Sequence, residues 1–223
     1  MNTFKAMTRK ITSLVLKFII ALSATIGVVI QIASDSREWL FFTIQSNIWI
    51  GVTCIVGIVL IICKAHIKKW MYSVKLIFTV SITLTGVVYC AILAPFLGDK
   101  AYTVVSVLLH VVVPIAAIAD FVVYDCCVEY KRWECLTATI PPLYYLIFST
   151  VGYIQNWSFG YGGHNYPYFF LNWGGPAGAF GFLNEFPYMG VFYYVLVLLL
   201  FVVGMGALYV LIANRLTRKA LKQ

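Results

Sequence analysis

Residues 39–63, WLFFTIQSNIWIGVTCIVGIVLIIC, form an apolar run long enough to cross a bilayer, yet near its start stand Thr43, Gln45, Ser46 and Asn47. In hydrocarbon every polar group must find its partner inside the protein, so such residues turn inward or face a wet cavity. The run therefore predicts a membrane helix with a polar patch near one end. The question it raises is which other residue meets Thr43 at the same depth.

Five further apolar stretches, at about 11–33, 74–96, 101–123, 135–154 and 188–213, share this length. The 223-residue chain is 62% hydrophobic and 11% charged, and a soluble domain of this size has too little interior to hide that surface. The expected fold is all-α: a polytopic integral membrane protein, one domain over 1–223 with six transmembrane helices. An aromatic and glycine-rich outer loop is expected at about 155–186. The first run exceeds the apolar core of a signal peptide, which predicts an uncleaved first helix.

The net charge of +8 does not point to nucleic acid, because the basic residues sit in short clusters between the spans. Lys5, Arg9, Lys10, Lys64, Lys68, Lys69, Lys75, Lys131, Arg132, Arg215, Arg218, Lys219 and Lys222 fall on the side of the termini, against Arg37 and Lys100 on the other. The positive-inside bias then predicts both termini in the cytoplasm of a multi-pass cell-membrane protein. Lys17 lies inside the first span and is read as snorkelling to the membrane face. Cys126, Cys127, Cys135 and His66 do not have metal-ligand spacing, so neither metal nor cofactor is expected.

At 100° per residue, Ser46 and Asn47 share the face of Thr43, while Gln45 points away. The fourth span offers a counterpart in His110, with Ser106 at i−4 and Thr103 at i−7 on its face. Pro114 at i+4 removes the amide that would bond the His110 carbonyl and predicts a bend. Thr43 should lie about 6 Å and His110 about 13 Å inside the outer end, at the helical rise of 1.5 Å. A hydroxyl beside an imidazole is the minimum set for nucleophilic acyl transfer, with the histidine as base and then acid. The same residues also have a non-catalytic use, since threonine bonds its own i−4 carbonyl and a buried histidine can join helices.

The segments FFTIQSN around Thr43 and LLHVVVP around His110 resemble the androgen-induced-gene family of multi-span membrane hydrolases, in particular its bacterial six-helix relatives. A third stretch, NYPYFFL at 165–171, resembles that family's tyrosine-proline segment after the fifth helix. The likeness in span layout covers most of the chain, and only these three motifs are specific. The run Gln45-Ser46-Asn47 departs from the more apolar or acidic residues of the animal members. The resemblance implies a Thr43 nucleophile with His110 as its partner, acting on lipid esters such as fatty acid esters of hydroxy fatty acids, as a hydrolase or acyltransferase. A membrane lipid or lipid ester is then the partner molecule. Ser46, Asn47, Ser106, Tyr166 and Asn172 are the candidate supporting or substrate-lining residues.

Asp120 stands ten residues from His110, about 15 Å along the axis, too far to orient the imidazole as a triad acid does. It is expected to cap a polar contact near the cytoplasmic face. Asn47 is the candidate oxyanion donor, or alternatively a bond across helices. His164, in the outer loop, reads as a solvated side chain. The outer loop itself reads as a lid over helices two, four and six or as an aromatic belt. A different class remains open: a small transporter or lipid-binding protein with a non-catalytic polar core, or a structural partner subunit. Thr79, Ser81, Thr83 and Thr85 bear on it, since their two-residue spacing wraps around the third helix instead of lining a pore.

Overall fold

The computed structural model describes residues 2–160 and 162–221. Among the described residues, six helices are long and apolar enough to cross a membrane: α1 (Met7–Ser34), α2 (Phe42–Ile62), α3 (Lys69–Leu97), α4 (Val104–Asp125), α5 (Arg132–Ile154) and α6 (Val191–Ala220). The chain is an all-helical, multi-pass integral membrane protein. Six crossings put the two ends of the chain on one face, called the terminal face below; the long connection between α5 and α6 lies on the opposite face. Ile11, Val15, Phe18 and Leu22 on α1, and Leu196, Val197 and Leu200 on α6, are exposed, as side chains facing lipid tails should be.

The centre of the bundle is α3. Over half of its apolar stretch is buried, more than in any other span, because α2, α4, α5 and α6 all pack on it. Two clusters flank it. Ile20, Ala24, Ile50, Cys54 and Val113 join α1, α2 and α4, while Leu76, Leu84, Phe121, Val202 and Tyr209 join α3, α4 and α6. In lipid both faces of a helix are apolar, so periodicity alone does not separate a central helix from a peripheral one.

Proline shapes α3 and α4. Each helix carries a π turn just before a proline: Tyr89–Leu93 ahead of Pro95, and Leu108–Val112 ahead of Pro114. A proline ring clashes with the carbonyl four residues back, and widening the preceding turn relieves the clash. The bend expected at Pro114 thus takes the form of a widened turn with His110 inside it. The two helices meet there at Gly86, where a Cβ would lie 3.0 Å from the His110 carbonyl oxygen and 3.1 Å from the Pro114 ring. Only a residue without a side chain permits that approach.

Two expectations need correction. Lys17 does not snorkel: it is buried, and its ammonium contacts Asp120 at 2.8 Å and Asp125 at 3.0 Å. The second apolar run is not helical from residue 39. Residues Ser36–Leu40 form a 3-10 turn, capped by the Asp35 carboxylate accepting from the Arg37 amide, and α2 starts only at Phe42. The linking loop wraps the same end of the bundle. Phe41 contacts Phe159 and Tyr168, Trp157 contacts Phe148, and Phe169 contacts Phe96 and Tyr194. These rings tie the loop to the ends of α2, α3, α5 and α6.

Candidate active site

Because α2 begins at Phe42, Thr43 is its second residue and not a residue one turn inside. The first amides of a helix have no intrahelical acceptor. The Phe41 carbonyl accepts from the amides of Ile44 and Gln45, and the Tyr168 hydroxyl faces the amides of Phe42 and Thr43 together with the Thr43 side chain. Burial of its hydroxyl end pushes the Tyr168 phenol up to about 12, so it remains a donor at neutral pH. Tyr145 fixes the same corner by donating to the Leu40 carbonyl at 3.0 Å.

The Thr43 carbonyl is held from below. Asn47 Nδ2 donates to it at 2.8 Å and Ser46 Oγ at 3.1 Å. Both side chains reach further: Ser46 Oγ pairs with Thr85 Oγ1 of α3 at 2.8 Å, and Asn47 Nδ2 also donates to the Leu109 carbonyl of α4 at 3.3 Å. One fully buried amide therefore bonds the backbone at Thr43 and at the residue preceding His110. That use of its NH2 group makes Asn47 a bond across helices, and leaves it no proton for an oxyanion.

Thr43 Oγ1 and His110 Nε2 stand 3.3 Å apart. On the other side of the ring, Nδ1 lies 2.9 Å from the Ser106 carbonyl oxygen. A carbonyl only accepts, so this contact requires the proton on Nδ1 and leaves the Nε2 lone pair facing the hydroxyl. Ser106 supports the ring through its backbone, while its hydroxyl and that of Thr103 bond each other. The Tyr89 ring covers one face of the imidazole, and the Tyr89 hydroxyl donates to the Ala101 carbonyl. Among the described residues no carboxylate bonds the His110 ring.

A cavity of about 80 Å³ opens on Thr43, bounded by Thr85, Tyr89, Tyr145, Tyr168 and aliphatic side chains of α3, α5 and α6. His110 is absent from its wall, but Thr43 and Tyr89, which both contact the imidazole, are part of it. Tyr166 and Asn172 do not join this site; they line a neighbouring cavity under the loop, with Phe170 shared by both. Tyr168, from the same NYPYFFL motif, stands at the hydroxyl instead. His164 is exposed and stacks on Tyr166. Tyr89, Tyr168 and Thr85 were not singled out for this site from sequence; the motif around 165–171 was the one available signal.

Asp120 belongs to a second buried polar group in the half of the bundle nearer the terminal face. Its carboxylate contacts Lys17 Nζ and Lys75 Nζ at 2.8 Å each and accepts from Ser13 Oγ at 2.6 Å. No family model matches the chain, and neither a curated protein nor a solved structure is similar to it.

Proposed function

We propose that the protein is an intramembrane hydrolase or acyltransferase of lipid esters, with Thr43 as nucleophile and His110 as base. The observation that carries this reading is the 3.3 Å contact between Thr43 Oγ1 and an Nε2 whose partner nitrogen is already bound to a carbonyl. Resemblance of the FFTIQSN and LLHVVVP segments to the androgen-induced-gene family supports the same pair. So does an apolar cavity at the hydroxyl, which suits an acyl chain better than a polar solute.

In the first step Thr43 Oγ attacks the ester carbonyl carbon while Nε2 takes the hydroxyl proton. The negative charge develops on the carbonyl oxygen, where the Tyr168 hydroxyl, itself faced by the first amides of α2, supplies a donor. Collapse breaks the bond to the alcohol oxygen, and His110 returns the proton to that leaving group. Water, or a second alcohol, then attacks the acyl-threonine with His110 again as base, restoring the free hydroxyl. With the termini in the cytoplasm, the site would draw on the outer leaflet of the cell membrane.

The test is labelling of purified protein with a lipophilic fluorophosphonate. Wild type should label, and Thr43→Ala and His110→Ala should not; equal labelling of all three removes the nucleophile assignment.

A transporter or lipid-binding reading draws on one observation, the buried charges around Asp120. The α3 hydroxyls between them and Thr43 turn to different neighbours, Thr83 to Tyr209 on α6 and Thr85 to Ser46 on α2. They do not form one polar row, which favours the hydrolase.

A further inference from the structure

Near the terminal face α5 and α6 are in close contact: a Cβ on Gly206 would lie 2.7 Å from the Cys135 carbonyl oxygen. Toward the opposite face the two helices stand apart, and the Thr43 cavity occupies the gap. Pro142 and Leu146 form one wall of this cleft, and Val195, Leu198 and Leu199 the other. Next to them Leu143, Leu196, Val197 and Leu200 are exposed on the bundle's outer surface. The cleft is therefore flanked by lipid-facing side chains at its outer edge and reaches the threonine hydroxyl at its inner end.

We propose that this cleft is a lateral portal through which one long, unbranched acyl chain of the ester passes from the bilayer to Thr43. Depth supports that occupant. Val195 to Leu199 lie about 6–12 Å below the first residue of α6, at 1.5 Å per residue, while Thr43 is in the first turn of α2 on the same face. An ester carbonyl held at headgroup depth with its chain hanging toward the midplane fits that offset. Such a chain meets mostly aliphatic and aromatic walls, and the Thr43 and Tyr168 hydroxyls stand where the carbonyl would rest. The proposal rests on the hydrolase reading for its chemistry, but the chain-binding cleft is a separate claim.

Two esters with the same leaving group, p-nitrophenyl palmitate and p-nitrophenyl butyrate, separate the acyl wall from the chemistry. Leu198→Trp and Val195→Phe, each filling the cleft, should lower the palmitate-to-butyrate ratio of kcat/KM at least ten-fold relative to wild type. An unchanged ratio in folded protein overturns the portal. A palmitate probe carrying a mid-chain diazirine tests the cleft without turnover: in lipid vesicles it should cross-link wild-type α5 and α6 at the cleft-lining positions. Cross-linking there without ester turnover keeps the portal and removes the hydrolase. Turnover with cross-links confined to other helices removes the portal and keeps the hydrolase.

Discussion

The imidazole of His110 lies flat against the ring of Tyr89, centroids 3.6 Å apart and planes 15° from parallel. Both residues sit in π turns, one on α3 and one on α4, so two proline-induced distortions bring the rings into register. The Tyr89 hydroxyl anchors its own ring on the Ala101 carbonyl. Tyr89 thus acts on the candidate base by position, restraining rotation of the imidazole about its side-chain bonds.

Replacing the ring should misplace Nε2 without touching the nucleophile. Tyr89→Ala is expected to lower kcat on the order of 10²-fold, the loss that a displacement near 1 Å produces. Tyr89→Phe keeps the stack and should retain most of the activity. Fluorophosphonate labelling rates of the two variants check this; equal rates would show that the stack does not position the base.

The four buried charges near the terminal face form a different kind of constraint. Lys17 on α1 and Lys75 on α3 share Asp120, and Asp125 lies 3.0 Å from one ammonium and 3.8 Å from the other. Two cations and two anions balance, and three helices are tied together. Removing one member leaves a buried charge uncompensated, at a cost of about 3–5 kcal/mol. Lys75→Met should therefore lower the thermal midpoint in detergent on the order of 10 °C. The double variant Lys75→Met, Asp120→Asn should recover part of that loss. No recovery would mean that the charges are not coupled in this way.

The six helices and the pairing of Thr43 with His110 were legible because hydrophobic length and isolated polar residues are local signals. What joins them was not. Asn47 reads as one polar residue on a helix face, and nothing in the sequence says that its amide will reach the Leu109 carbonyl. Lys17 and Lys75 read as flanking charges, since a lysine near the end of a span can reach solvent; only the approach of α4 gives them Asp120 and Asp125. The start of α2 was misplaced by three residues because Trp39, Leu40 and Phe41 are as apolar as the helix that follows. That small error hid the first-turn amides beside Thr43. Tyr168 was obscured for another reason: a loop dense in aromatic residues has no period from which to choose one ring.

The turn that leads into α2 gives a pH prediction. Asp35 accepts from the Arg37 amide at 2.9 Å and pairs with its guanidinium at 2.8 Å, and Arg37 Nη1 donates to Ser158 Oγ of the long loop at 2.9 Å. These bonds stabilise the carboxylate and hold the Asp35 carboxyl below its ordinary value. A lowered carboxyl contributes stability above its unfolded value and loses it as the pH falls through the folded one. The Arg37 side chain is 40% exposed, so solvent screens the pair and the effect is modest. Asp35→Asn should have a lower thermal midpoint than wild type at neutral pH, and the gap should close as the pH falls through the acidic range. A gap of constant size between about pH 7 and pH 3 would show that the Asp35 charge is not the source of the loss, because an asparagine oxygen caps the turn equally well and does not titrate.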